Sequence, residues 1–539
     1  MRRKRMKVLQ MLGTAVIALL TLPGLAGAQS SPRLKPIPPR RGRTALAALA
    51  ADPSSPWQPL TNQPTFLDQV NCAGAANPLL LTDGTVMVQE GGCQRWFRLT
   101  PNNTGSYVNG TWSQLATLPS NYSPLYHASA VLPDGRLIIE GGEYNFFVPA
   151  WTNLGAIFDP LADTWTPVSP PAFFGGTAHH PHAIGDASGI VLANGQFMLA
   201  DALTTQQALL DAQALTWTAT GAHKFDPNNE EGWTLLPNGQ VLTVDAYVPL
   251  GGFQYDPTGT NSELYVPASG KWHSAGSTVV QLWDSAATCG GENIASFELG
   301  PAVLRPDGTV FYTGANSCGA GHTAIYNSNT GIWTAGPDFP DSLDIGDGPA
   351  SLLPNGNVLV DTSPTIFNPP TYFFEFDGTH LNSVPGPPNA PFDTSFFGNM
   401  LILPTGQILF TDFSDDIEIY TASGTYNPAW APRIQKAPTT ISPGGSYVIS
   451  GHYFNGLSQG AAYGDDVQAA TNYPLVRITN RTTGHVFYSR THDHSSMAVA
   501  FGGLVSTHFD VPADQELGIS DLVVVANGIP SRSATVNVQ

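Results

Sequence analysis

One alternation of apolar and polar positions recurs along this chain. Each copy runs apolar pair, Pro, Asp or Asn, Gly, a polar residue, then an alternating apolar run. It reads LLLTDGTVMVQEGG (79–92), AVLPDGRLIIEGG (130–142), IVLANGQFMLAD (190–201), TLLPNGQVLTVD (234–245), AVLRPDGTVFYTG (302–314), SLLPNGNVLVD (351–361) and LILPTGQILFTD (401–412). The seven turn anchors Asp83, Asp134, Asn194, Asn238, Asp307, Asn355 and Thr405 lie 44–69 residues apart. Alternation on either side of a PDG or PNG step predicts two strands joined by a tight turn. Most copies continue into a stretch such as FDPLADTW (158–165) or YNSNTGIW (326–333). Trp112, Trp165, Trp217, Trp272 and Trp333 close the first five. A period near 50 with four short strands per unit predicts a kelch-type β-propeller of seven blades over residues 56–430. A blade cannot bury both faces alone, so the ring must close. SPWQPLTNQP (55–64) reads as the outer strand of the seventh blade, supplied from the N-terminal side.

The repeat stops near Tyr420. Beyond APRIQKAP (431–438), the runs ISPGGSYVISG, YPLVRITNRTTGHVFYSR, STHFDVP and SDLVVVANGIPSRSATVNV read as strands separated by turn signals. Residues 431–539 are therefore expected to form a small Ig-like sandwich. The fold class expected is all-β: a seven-bladed kelch-type propeller followed by an Ig-like β-sandwich.

Composition agrees. The chain has 539 residues, is 42% hydrophobic and only 12% charged, and carries 55 Gly and 46 Pro. That profile suits a turn-rich β protein and argues against disorder and coiled coils. Arg2, Arg3, Lys4, Arg5 and Lys7, the apolar stretch Met11–Leu22 and the Ala26-Gly27-Ala28 step read as a signal peptide over 1–28. A secreted or periplasmic protein is expected, and residues 29–55, rich in Pro and Arg, read as a flexible lead. No later run has the apolar length of a membrane span. Net charge is −19, and without residues 1–28 the balance is 17 basic against 41 acidic residues. Such a chain is a poor partner for nucleic acid or an anionic membrane. Four cysteines in an exported chain suggest disulfides. Three pairings are open; Cys72–Cys93 and Cys289–Cys318 are favoured, because each brackets one predicted inner strand. There is no GxSxG, P-loop, dinucleotide fingerprint, HExxH or CxxC.

This order of parts resembles galactose oxidase and its relatives, across nearly all of the chain after residue 28. The end, PRI…SPGGSYVIS, then Thr491-His492, then VVVANGIPS, is similar to that family's early-set Ig-like domain. There a hairpin enters the propeller axis and a Thr-His pair supplies a copper ligand, which implies His492. YHASAVLPDGRLIIEGG (126–142) resembles the segment with the cross-linked tyrosine, which implies Tyr126. The family's cysteine falls on Ala75, and its second tyrosine and adjacent histidine fall on Phe397 and Gly398. The copper–cysteinyl–tyrosyl radical therefore does not carry over. A cross-link relocated to Cys72 is the least favoured alternative.

Carboxylates stand in its place. Eight residues before each anchor, with one residue of offset for the inserted Arg305, stand Ala75, Tyr126, Asp186, Glu230, Glu298, Asp347 and Phe397. In a ring these line one mouth of the axial channel, so four consecutive blades offer a carboxylate to it. Clustered carboxylates cannot all stay ionised without compensation. A divalent metal (calcium, copper or another) between His492 and some of Tyr126, Asp186, Glu230, Glu298 and Asp347 would compensate them. So would protonation that leaves an acid beside a base, or a structural ion pair with an arginine such as Arg490. His494 alternates with His492 on the expected hairpin, and His182 lies in the loop entering the third blade; both are candidate substrate contacts. Asp465 and Asp466, in the long polar loop 454–474, could bind Ca²⁺ or contact the propeller, with a solvated turn the preferred reading. Two functions fit: an enzyme acting on a carbohydrate or other alcohol or aldehyde, or a non-enzymatic module binding a glycan or protein. The substrate, the reaction and the oligomeric state are left open by the sequence.

Overall fold

The computed structural model describes residues 35–38, 55–64, 72–175, 180–251, 254–285 and 295–539. The expected signal peptide and Cys289 lie outside them. Each sequence copy folds into an antiparallel sheet. The first runs Ala75–Leu80, Val86–Glu90, Trp96–Thr100 and Thr111–Gln114 from inside outward. Copies two to five repeat the order, with inner strands Ala128–Val131, Gly189–Val191, Thr234–Leu235 and Leu299–Leu304. Burial follows the alternation: Val86–Glu90 is buried throughout, whereas Thr111–Gln114 is mostly exposed.

Two local devices repeat. At six anchors the Asp or Asn side chain accepts the backbone N–H two residues on, as Asp83 does from Thr85 at 3.0 Å and Asn355 from Asn357 at 2.9 Å. The glycine after every anchor has φ between +76° and +90°, a region where a Cβ is strained. The blade tryptophans reach back one sheet. Trp112 donates to Asn62 O, Trp165 to Ala116 O and Trp217 to Ser169 O, at 2.8–3.0 Å. Trp272 and Trp333 donate to Gln207 Oε1 and Ser262 Oγ. Each indole thus packs against its neighbour while its N–H stays paired.

The inner strands follow one another around an axis. Ala75–Leu80 lies beside Ala128–Val131 and Asn399–Ile402; Leu299–Leu304 lies beside Thr234–Leu235 and Ala350–Leu352. The last sheet closes with Trp57–Pro59 paired to Glu418–Tyr420, Trp57 opposite Tyr420. Trp57 packs among Phe373, Phe410 and Tyr420, with ring centroids 4.9–5.5 Å apart. The architecture is an all-β propeller arrangement.

The C-terminal strands form a separate two-faced sheet system from Arg433–Lys436 to Ala534–Val538. Ile449, Phe454, Val476, Ile478, Phe509, Leu522 and Val524 fill its interior. It meets the ring on the turn side: Thr491 N donates to Thr82 O and His494 N to Pro133 O, both 3.1 Å. From there the 454–474 loop runs into the ring. Its Ala461–Ala462 strand pairs with Ala350–Leu352. Among the described residues, no helix is long and apolar enough to cross a membrane.

Cys72 and Cys93 form a disulfide with Cα atoms 5.7 Å apart. Cys318 is also disulfide-bonded.

Candidate axial site

Of the residues eight before the anchors, Ala75 opens its inner strand, while the other six sit in the turns just before theirs. Several of these turns are contorted. Tyr126, Glu230 and Asp347 have φ of 52°, 61° and 41°, and Phe297, before Glu298, has 67°. Such values are uncommon outside glycine and cost on the order of 1–3 kcal/mol each. These turns bring Asp186, Glu230, Glu298 and Asp347 together, each 0–2% exposed.

The 454–474 loop brings two more carboxylates. It is no solvated turn: Asp465 and Asp466 are fully buried at the axis. The loop is held because its polar groups find partners on the inner strands. Val467 N donates to His127 O (2.9 Å), Ser129 Oγ to Gln468 O (2.7 Å), Leu235 N to Gln459 Oε1 (2.8 Å) and Tyr463 OH to Phe396 O (2.6 Å). Gly464 is required for the approach, since a Cβ there would lie 1.6 Å from Asp347 Oδ1.

A lysine occupies the centre. Lys35 Nζ lies 2.6 Å from Asp347, 2.8 Å from Asp466, 3.1 Å from Asp465 and 3.3 Å from Asp186. Its N–H donates to Glu143 Oε1 at 2.8 Å, Tyr144 OH donates to its carbonyl, and Tyr126 OH donates to Pro36 O at 3.0 Å. Sequence reading assigned this segment to a flexible lead. At Lys35–Pro38 the chain is instead anchored, because a buried ammonium among carboxylates cannot leave without exposing unpaired charge.

Even so, the carboxylates outnumber the cation. Asp186 Oδ1, Asp347 Oδ1, Asp465 Oδ2, Asp466 Oδ1, Glu143 Oε2 and Glu230 Oε2 have no hydrogen-bond partner. Glu298 faces the Glu230 carboxyl and the Asp347 and Lys35 charges. Burial and the neighbouring charges push Glu230 and Asp466 up to about 8, and raise Glu298, Asp186, Asp465 and Glu143 as well. Burial alone would lower Lys35, but the four aspartates outweigh it and hold the ammonium charged. Within this cluster the triads Asp186–Glu230–Asp465, Glu230–Glu298–Asp347 and Asp347–Asp465–Asp466 each place three carboxylate oxygens within 4.8 Å of one another. An all-oxygen donor set suits hard cations such as Ca²⁺, Mg²⁺ or Mn²⁺.

The histidines lie elsewhere. His492 was expected at the metal. Its Nδ1 instead meets Asp493 Oδ2 at 2.8 Å and its Nε2 meets Asp510 Oδ1 at 3.3 Å. The strand that carries it, Val486–His492, stays paired inside the sandwich, so the loop and not the hairpin enters the axis. Arg490 likewise pairs with Asp510. His494 is buried against Tyr473 and Thr507, and burial lowers it to about 3. His182 is exposed and bonds Phe174 O. Tyr126 lies at the mouth, on an aromatic flank with Tyr144, Phe396, Phe397 and Phe413. A copper radical centre does not fit this donor set: among the described residues no thiolate and no imidazole stands with the axial carboxylates, and Ala75 and Phe397 occupy the places such a centre would use. Sequence reasoning missed Lys35 and Glu143. The lysine has no periodic neighbour to flag it, but Glu143 directly follows the second copy's EGG (140–142).

No family model matches the chain, and no curated protein does. Among solved structures it is similar to a copper-bound fungal alcohol oxidase of the AA5 family (14% identity, 87% of this chain and 98% of that one, TM-score 0.44). It is also similar to an inactive virginiamycin B lyase from Staphylococcus aureus with quinupristin (8% identity, 68% and 99%, TM-score 0.43). A third likeness is to a structure described as the extracellular domain of a hybrid two-component system from B. thetaiotaomicron (11%, 89% and 58%, TM-score 0.43). Scores this low assign neither family nor activity.

Proposed function

We propose that the axial mouth is the functional centre of an exported, galactose-oxidase-like propeller protein. In this reading residues 56–430 form the seven-bladed unit and residues 431–539 the sandwich that plugs it. The centre is of carboxylate type, binding a divalent cation or exchanging protons with a small ligand. Its class is a carbohydrate or another alcohol or aldehyde, neutral or cationic. The observation that carries this reading is the convergence of buried carboxylates on one point, with Lys35 alone among the described residues to balance them. Strain and unpaired charge at one place cost stability, and selection keeps such features where they serve chemistry.

Two uses of the residues follow. Glu230, Glu298 and Asp347 would hold a hard divalent ion, which when bound would polarise a ligand oxygen. Without one, Glu230 is protonated at neutral pH and can donate a proton, while an ionised aspartate beside it accepts one. A second reading, a ligand-binding module without turnover, is favoured by the enclosure of the centre, since its carboxylates are 0–2% exposed beneath Lys35.

The test is metal content by mass spectrometry on chelator-untreated protein and on Glu298→Gln. A stoichiometric divalent ion in the first, lost in the second with folding retained, supports the metal form. Folded protein that neither holds nor takes up metal leaves the acid–base form. In that case Glu230→Gln should abolish any turnover found.

A further inference from the structure

We propose that the axial pocket recognises a primary ammonium on a short peptide-like stem, and that Lys35–Pro36 occupies it in cis as a tethered competitor. This rests on the axial-centre reading above and names its ligand class. Lys35–Pro38 contributes no strand to the fold. Yet its polar groups are read out as a ligand's would be: the Lys35 N–H by Glu143, the two carbonyls by Tyr144 and Tyr126, the ammonium by four aspartates. The ammonium also stands 5.4 Å from the Tyr126 ring centroid, within cation–π range.

The donor geometry selects the cation. Four carboxylate oxygens at 2.6–3.3 Å surround a compact charge, which suits –NH₃⁺ and not the flat fork of a guanidinium. The aromatic flank of Tyr126, Tyr144 and Phe413 offers an apolar wall for a stem. The pocket also retains acceptor oxygens to spare. Glu230 Oε2 and Asp186 Oδ1 are fully buried, lack partners and lie in one cluster with Asp465. A site that only anchored Lys35 would need no such excess. An intramolecular occupant competes with an added ligand without leaving its neighbourhood. Wild-type protein should therefore bind an added amine about 10–100-fold more weakly than protein lacking the Lys35 side chain.

The experiment uses the full chain carrying Lys35→Ala, titrated calorimetrically with an acetylated, amidated Lys-Pro-Ile-Pro peptide. The expected result is binding by the variant, at least 10-fold weaker binding by wild type, and none with a Met-Pro-Ile-Pro peptide. Should Lys35→Ala fold poorly, thermal unfolding is followed with millimolar n-butylamine or n-butanol. Recovery with the amine alone supports the proposal, and recovery with neither overturns it. If the folded variant takes up Ca²⁺ or Mn²⁺ but no peptide, the ammonium inference falls and the axial centre stands. If it takes up neither, the ammonium inference and the metal form both fall, and only the acid–base form of the axial centre is left.

Discussion

Two lysines in this molecule are buried among four carboxylates each, and they differ in where those carboxylates come from. Lys224 Nζ meets Asp226 (2.5 Å), Glu263 (2.8 Å), Glu231 (3.0 Å) and Asp245 (3.7 Å). All lie within one stretch of chain, and three take a further donor: Tyr247 N on Asp226, Thr243 Oγ1 on Glu231, Phe225 N on Glu263. Lys35 draws on the entry turns of copies three and six and on the 454–474 loop, and each of its aspartates keeps an oxygen without a partner. The first cluster is local and nearly satisfied, as a structural ion network should be. The second is assembled over long range and left over-charged. Burying charge is costly unless it is paired, so the surplus marks the axis as the place to look for a ligand.

Lys224→Met should show the largest effect. It strands buried carboxylates and should lower unfolding free energy by about 3–5 kcal/mol, with no rescue by alkylamine. Denaturant titration checks it, and amine rescue here would erase the distinction between the clusters. Next comes pH. Glu230 titrates at about 8 when folded against an ordinary 4.5. The folded state thus holds the proton more tightly, and stability is lost as pH rises from 4.5 through 8. The slope is at most about 1.4 kcal/mol per pH unit for this group. Glu230→Gln should flatten that limb, and an unchanged slope would remove Glu230 from the surplus. His127 and His494 act oppositely. Burial lowers both to about 3, so their contribution is lost as pH falls below the ordinary 6.5. His127→Gln should ease acid unfolding below pH 6, read by circular dichroism. His492→Ala should matter least. Its partners sit at a partly exposed surface, so stability should change by less than about 1 kcal/mol and axial metal uptake not at all.

The repeat was legible because the anchors obey a local rule: at six of the seven a side-chain acceptor two residues before its donor, and at all seven a glycine at positive φ. The eight-residue offset also drew Asp186, Glu230, Glu298 and Asp347 toward one end of the ring, since equivalent positions in equivalent sheets face the same axis. What failed depended on non-local geometry. Asp465 and Asp466 sit among Gly, Ala and Gln, a composition shared by solvated loops, and only the pairing of Ala461–Ala462 with the sixth copy reveals their burial. His492 followed a resemblance in sequence, while the strand pairing of its hairpin decided otherwise. Lys35 lies in a stretch whose composition signals flexibility, and a single ion cluster overrules it.

Lys35 and Asp465 are separated by 430 positions. A ribosome adding about 5–20 residues per second needs roughly 20–90 s to travel between them. Throughout that interval the earliest part of the axial cluster has been made and its last acidic partners have not, and the closing strand at Trp57 waits in the same way for Tyr420. The nascent protein is therefore an open arc of sheets with a free edge at each end, closed first when Tyr420 arrives and then when Asp465 does.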